Sequence, residues 1–153
     1  MANWLGTLLR LVLAGVFAAS GLLKVADPTE SVRAVQAYDL LPYGLARFVG
    51  YGLPFLEIAI ALLLLVGLAT RFAAGLAAVL LVVFICAVAA AWARGLTIDC
   101  GCFGGGGQVA QGDTKYVQEI GRDVALLAAA GWLVGRPRSR FAIDHIAHQE
   151  QAA

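Results

Sequence analysis

Two cysteines separated by a single glycine, Cys100 and Cys102, are the residues of this chain best suited to chemistry. Residues i and i+2 have Cα atoms at most about 7 Å apart, and a disulfide needs about 4.4–6.8 Å, so a bridge here requires a bent backbone. Gly101 permits that bend, and the glycines 104–107 add conformational freedom. Strained, accessible disulfides are readily reduced. The spacing therefore predicts a catalytic dithiol–disulfide pair that exchanges with a partner.

Two other interpretations of the cysteine pair remain open. A static bridge is one, although closing so short a loop adds little stability through chain entropy. A metal site is the other, but zinc takes four ligands, and the two histidines, His145 and His148, lie in a tail expected on the opposite membrane face. We therefore expect no metal ligands, with Cu(I) on two thiolates left open. The third cysteine, Cys86, is expected to be a small buried apolar residue.

Several cofactors lack the residues that would hold them. No histidine lies in an apolar segment, so a haem with two histidine ligands is excluded. The chain has no phosphate-binding loop and no dinucleotide fingerprint, which excludes a nucleotide cofactor. It has no Cys-x-x-Cys motif, so it is not itself a thioredoxin domain. A net charge of +1 is too small to indicate a basic surface that binds nucleic acid.

Composition shows which solvent surrounds the chain. Of its 153 residues, 61% are hydrophobic and 14% are charged, with a mean hydropathy of +0.82. An ordinary soluble domain has about 45–50% apolar and about 25% charged residues. The composition excludes both a water-soluble globule and a disordered chain. The length predicts one domain.

The apolar residues form four blocks, each near the 20 residues or so that a membrane-spanning helix needs. The fourth reaches that length only if it carries charged residues on an inward face. The first is expected to be a retained helix, because no basic residue precedes Arg10 as in a signal peptide. We predict an all-α, integral membrane four-helix bundle over residues 1–140, with a polar cytoplasmic tail over 141–153. The blocks run from Trp4 to Leu23, Tyr51 to Thr70, Phe72 to Ala93 and Val117 to Gly135.

The connection after the first span predicts a short amphipathic helix at the membrane surface. Asp27 is a suitable N-cap, Pro28 suits the first helical position, and Glu30 follows three residues after the cap. We expect this helix to continue until Pro42.

Basic residues near the span ends set the orientation of a membrane protein. The arginines at positions 136, 138 and 140 favour cytoplasmic termini in the inner (plasma) membrane. The loop with Cys100 and Cys102 then lies on the extracytoplasmic side.

Ionisable residues inside a membrane are costly and are functional candidates by default. The chain order places Lys24, Glu57, Arg122 and Asp123 on the same side as the cysteine loop, with Glu57 near the start of its span. One interpretation is a structural ion pair between Glu57 and Lys24 or Arg122 that sets helix register. The other is a polar pocket in which Glu57 relays a proton and the bases stabilise a thiolate or bind an anion. The sequence does not separate the two.

A set of short motifs extends from about Arg10 to Gly135. They are Ser20-Gly21-Leu22-Leu23-Lys24 with Asp27-Pro28, Pro54 with Glu57, Cys100-Gly101-Cys102-Phe103-Gly104, and Arg122-Asp123. With these motifs the chain resembles the DoxX/MauE family of small four-helix membrane proteins, and its MauE-like branch in particular. The resemblance implies a redox-associated membrane protein. MauE-like proteins are linked to disulfide formation in methylamine dehydrogenase beside a thioredoxin-like partner, and DoxX-like relatives to thiosulfate or thiol oxidation.

The leading hypothesis is a membrane thiol–disulfide oxidoreductase, or its electron-transfer subunit. Cys100 and Cys102 would exchange with a thioredoxin-like partner, and a quinone would be held near Lys24, Glu57 and Arg122. One alternative is a non-catalytic membrane subunit that assembles or anchors a redox partner. The other is a binder or transporter of a sulfur compound or of Cu(I).

Overall fold

The computed structural model describes residues 2–103, 105–110 and 112–136, without the side chains of residues 2 and 3. The predicted polar tail over 141–153, with its two histidines, lies outside the described residues. The described part contains five helices and two very short strands. They are α1 (Ala2–Ala26), α2 (Pro28–Ala37), α3 (Tyr43–Val66), α4 (Thr70–Ala93), β1 (Ile98–Asp99), β2 (Gly107–Gln108) and α5 (Tyr116–Gly135).

Three of the helices, α1, α3 and α4, are long and apolar enough to cross a membrane. The 20-residue helix α5 is not among them, and it carries Glu119, Arg122 and Asp123 in its first half. The described structure therefore has three candidate spans, and the fourth predicted span stays a prediction.

The four long helices pack around one apolar core. Helix α1 contacts α3 and α5, and α4 contacts α3 and α5, so each long helix touches two others. Leu13, Ile60, Leu64 and Leu133 are fully buried in this core. Large apolar side chains such as Phe48, which is 76% exposed, lie on the outer surface. An apolar exterior around an apolar core is what a lipid solvent allows.

The second span differs from its predicted bounds of Tyr51 to Thr70. Helix α3 begins at Tyr43 after Pro42 and ends at Val66, because Gly67 takes the left-handed conformation that terminates a helix. The predicted end of the span was too late because the residues of the turn after Val66 are also apolar. Only the backbone conformation of Gly67 marks the end of the helix. Glu57 consequently lies in the middle of its helix, not near the start.

The predicted surface helix is present as α2. Its N-cap forms as expected, since the Asp27 carboxylate accepts hydrogen bonds from the backbone N–H groups of Thr29 and Glu30. The helix ends at Ala37, well before Pro42, and Asp39 has a positive φ of 48°.

Helix α2 docks on α3 at a point where α3 lacks a backbone hydrogen bond. Pro54 has no N–H, so the carbonyl of Gly50, four residues earlier, loses its usual helical donor. The Ser31 hydroxyl donates to this carbonyl at 2.7 Å. A Cβ on Gly50 would lie 2.7 Å from the Cα of Val32, so the two backbones meet closely only because residue 50 is glycine.

The loop between α4 and α5 is tied to its surroundings and carries the two strands, which pair antiparallel. The Tyr116 hydroxyl donates to the carbonyl of Leu96 and accepts from the N–H of Ile98. Gly101 has a φ of 67°, and a Cβ there would lie 2.7 Å from the Cβ of Ala34, so the loop rests directly on α2. The sequence did not predict these strands.

Cys86 corrects one prediction. It is exposed on α4, not buried. The outer surface of this helix faces the same apolar solvent as the other spans, so a weakly polar cysteine gains nothing by turning inward.

The contact between α2 and α3 generates the first prediction. Substituting Gly50→Ala should destabilise the protein by about 1–3 kcal/mol, because the new methyl group meets the Val32 backbone. Thermal unfolding in detergent should show a lower Tm. Gly52→Ala, on the same helix with open space around its Cα, is the matched control and should not lower the Tm. Equal Tm values for the two variants would contradict this account of the contact.

Candidate functional site

A buried ion pair joins α1 to α3. The Lys24 ammonium lies 2.6 Å from Glu57 Oε1, and the two side chains are 6% and 0% exposed. The ammonium also lies 5.5 Å from the ring centroid of Phe84 on α4. Burying two charges costs several kcal/mol per ion unless both are paired and hydrogen-bonded. The pair therefore fixes how the three helices meet, and it is one of the two pairings that the sequence allowed.

Ser20 links this ion pair to the cysteine loop. Lys24 Nζ donates to the Ser20 hydroxyl at 3.0 Å. That hydroxyl lies 2.6 Å from the carbonyl oxygen of Cys102 and 3.2 Å from Glu57 Oε2, and its one proton favours the shorter contact. Sequence reasoning did not assign Ser20 a role. Its position one helical turn before Lys24, on the same face of α1, was the available signal.

A second ion pair lies at the start of α5. Arg122 Nε and one guanidinium NH₂ group both lie 2.8 Å from Asp123 Oδ1. The guanidinium is 4.9 Å from the ring centroid of Phe103, immediately after the cysteine pair. Asp123 is 2% exposed, and its Oδ2 has no hydrogen-bond partner among the described residues. A buried carboxylate oxygen without a donor is available to a proton or to a bound molecule.

A partly open cleft lies between the two ion pairs, and its empty space of about 290 Å³ includes solvent at the mouth. Its walls are mainly apolar, and its polar atoms come from few residues. The polar lining residues are Ser20, Glu57, Cys102, Arg122 and Asp123, and the apolar ones include Phe17, Leu81, Phe84, Phe103 and Leu126. An apolar cleft with a few convergent polar groups is typical of small-molecule sites.

The two cysteines are free thiols in different surroundings. Cys102 is 8% exposed and lines the cleft, whereas Cys100 is half-buried. The backbone N–H of Cys102 lies 3.3 Å from Cys100 Sγ and donates to it. A hydrogen bond from the Cys100 thiol, with the charges of Lys24 and Arg122, lowers the pKa of Cys102. The same hydrogen bond and burial raise the pKa of Cys100.

Glu119 is an additional acidic residue beside Cys100. It is 8% exposed, and its carboxylate hydrogen-bonds to the backbone and side chain of Cys100. Donor atoms of Asp99, Cys100 and Glu119 lie within 4.8 Å of one another. Asp99 Oδ1 already accepts from the N–H of Gly101 at 2.9 Å. These three residues form a hydrogen-bonded cluster around Cys100, and the sequence-based expectation of no metal ligands stays a prediction.

The structure brings together most of the residues predicted from sequence. Glu57, Arg122 and Asp123 line the cleft with Cys102, and Lys24 is bound to Glu57. Cys100 lies behind Cys102, and Cys86 does not join the group. Ser20, Phe103 and Glu119 complete the site. Their roles in chemistry remain predictions.

The ion pair generates the second prediction. Lys24→Met and Glu57→Gln should each lower the free energy of unfolding by about 3–5 kcal/mol, because each leaves the other residue's buried charge without its counter-charge. The double variant removes both charges and should lose less than the sum of the single losses. Titration with a denaturing detergent measures the free energy of unfolding of the wild-type protein, the two single variants and the double variant. Strictly additive losses would show that the two side chains do not stabilise each other.

Comparison with known proteins supports the resemblance. The family model described as methylamine utilisation protein MauE matches residues 2–136. The methylamine utilization protein MauE of Paracoccus denitrificans is 41% identical over 99 residues, covering 64% of this chain and 53% of the relative. The chain thus spans about half the length of this curated relative. No solved structure matches the chain significantly. With its family model matched over nearly all of the described residues, the chain belongs to the MauE family.

Proposed function

We propose that this protein is a membrane thiol–disulfide oxidoreductase, or the electron-transfer subunit of one. The observation that carries the proposal is that Cys102 lines a cleft with apolar walls, next to the buried Lys24–Glu57 pair and the partly exposed Arg122–Asp123 pair. The sulfur of Cys102 is thus placed on an apolar surface beside charged groups. The family name concerns methylamine utilisation, which agrees with a supporting redox role but does not specify the reaction.

The polar groups around the sulfur suit thiol chemistry. Lys24 and Arg122 favour the thiolate form of Cys102, the form that attacks or leaves during disulfide exchange. Glu57 and Asp123 supply two carboxylates that can accept protons near the cleft. Together the four side chains carry two positive and two negative charges, so the cleft gains no net charge from them.

The cleft has features expected of a quinone site. Phe17, Phe84 and Leu126 offer apolar surfaces for a ring, and the guanidinium of Arg122 can donate to a carbonyl oxygen. Asp123 Oδ2, which lacks a partner among the residues described, is available as a proton carrier. A bound quinone would accept two electrons and two protons, the number released when a dithiol closes to a disulfide.

We also propose that α5 is the fourth span. Glu119 and Asp123 are 8% and 2% exposed, whereas Val117 and Val124 on its outer face are 69% and 51% exposed. Turning the charges inward leaves an apolar outer surface for lipid. Four spans would place both termini on one side, and we assign that side to the cytoplasm of the inner membrane. The cysteine loop is then extracytoplasmic, where a thioredoxin-like partner can reach it.

The proposed reaction generates the third prediction. Cys100→Ser and Cys102→Ser should each reduce turnover by roughly 100-fold or more, because neither single thiol can close a disulfide. The assay follows, by absorbance, reduction of a short-chain benzoquinone by a reduced thioredoxin, with the protein in lipid nanodiscs. Cys86→Ser is the matched control and should keep its activity, since Cys86 lies on the outer surface. Unchanged turnover in both cysteine-pair variants would overturn the proposal and favour a non-catalytic assembly subunit.

A further inference from the structure

We propose that the two cysteines have separate roles. Cys100 exchanges disulfides with the protein partner, and Cys102 passes electrons to an acceptor bound in the cleft. Glu119 accepts the proton of Cys100. This inference rests on the proposed thiol–disulfide function and assigns a direction to it. It also gives a catalytic role to Glu119, a residue outside the cleft.

The positions of the two sulfurs carry the assignment. Cys102 is 8% exposed, its carbonyl is held by Ser20 at 2.6 Å, and it lines the cleft with Glu57. Cys100 is half-buried and does not line the cleft. The loop beyond the pair has glycines with positive φ at residues 105–107, and the side chain of Phe103, which is 43% exposed, adds apolar surface that an approaching protein can contact. The less buried sulfur is therefore the accessible target for a macromolecule.

The charged groups around the two sulfurs differ. Lys24 and Arg122 favour Cys102 as a leaving thiolate, whereas Asp123 opposes that form. The Glu119 carboxylate hydrogen-bonds to Cys100, whose side chain also hydrogen-bonds to Arg122. Asp99, Tyr38 and Arg122 are the other titratable or charged groups that act on Glu119 or its surroundings. A sulfur beside a carboxylate is poorly placed to rest as a thiolate but well placed to lose a proton at the moment of attack.

The cycle balances with these roles. A partner thiol gives its proton to solvent and attacks Cys100 Sγ, the bond between Cys100 and Cys102 breaks, and Cys102 leaves as the thiolate. The partner's second thiol also loses its proton to solvent and attacks the partner sulfur bound to Cys100, which releases Cys100, and Cys100 is protonated from Glu119. As the Cys100–Cys102 bond re-forms, Glu119 takes that proton back, and the two electrons of the sulfurs would reduce a quinone-class acceptor in the cleft. The acceptor would take up two protons from solvent, equal to the two that the partner's thiols released.

A trapping experiment tests the assignment of the cysteines. The probe is a thioredoxin whose buried cysteine is serine and whose exposed cysteine carries thionitrobenzoate. It is added to Cys102→Ser and to Cys100→Ser, each in the Cys86→Ser background in nanodiscs. The Cys102→Ser protein should form the mixed disulfide at least about tenfold faster on a non-reducing gel, since only its remaining sulfur is accessible. Free thionitrobenzoate disulfide, a small reagent, confirms that each remaining thiol is reactive.

The outcomes separate this inference from the function on which it rests. Faster trapping by Cys100→Ser, or equal trapping by both variants, would overturn the assignment and leave the oxidoreductase proposal standing. Trapping by neither variant, together with turnover that survives both substitutions, would overturn the oxidoreductase proposal itself.

A pH profile tests Glu119. In the Cys102→Ser background, Glu119→Gln should slow attack of Cys100 on the probe about tenfold or more near neutral pH, with the deficit shrinking as pH rises and hydroxide replaces the carboxylate. Glu119→Asp should restore part of the rate. Asp113→Asn removes an exposed acid from the same loop and should leave the rate unchanged. A faster rate in Glu119→Gln would show that Glu119 only repels a thiolate. A deficit equal at all pH values would show a structural role.

Discussion

The buried contact between Lys24 and Glu57 is the constraint on which the rest of the structure depends. The two charges lie in separate helices, 6% and 0% exposed, and each would be prohibitively costly without the other. Satisfying them requires α1 and α3 to meet in one register. Ser20 then carries the same hydrogen-bonded network to the carbonyl of Cys102. The position of the cysteine loop is thus linked to the pairing of two charges inside an apolar medium.

The solvent explains why so few polar residues suffice. In lipid, the outer surface needs no polar groups, so apolar residues cover both the core and the exterior. Helix packing then relies on close approach, as where Gly21 leaves no room for a Cβ beside Ile58. It also relies on hydrogen bonds such as that from Ser31 to the carbonyl that Pro54 leaves without a helical donor. The few charged residues in the candidate spans form contacts that apolar groups cannot form, such as the Lys24–Glu57 ion pair.

The cysteine loop combines restraint with local freedom. The Tyr116 hydroxyl accepts a hydrogen bond from the N–H of Ile98 at the start of the loop, and Gly101 packs closely against Ala34 on α2. The Glu30 carboxylate accepts a hydrogen bond from the N–H of Gly105, so a residue in the first turn of α2 also restrains the loop. Two neighbouring sulfurs can therefore have different surroundings, Cys102 in the cleft and Cys100 beside Glu119, which a freely moving loop would average out. This is the physical basis for assigning them different roles.

The sequence by itself determined the apolar environment, the helical content, three candidate spans and the capped helix α2, and it predicted a set of candidate site residues. These follow from local composition and short spacing, as with Asp27 before Pro28. Tertiary structure alone decided that Glu57 pairs with Lys24 and not Arg122, that Cys86 faces outward, and that Glu119 lies against Cys100. Such choices depend on how helices far apart in the chain rotate against one another, and apolarity on every face of a membrane helix leaves that rotation unspecified. Only the burial of a few charges settles it.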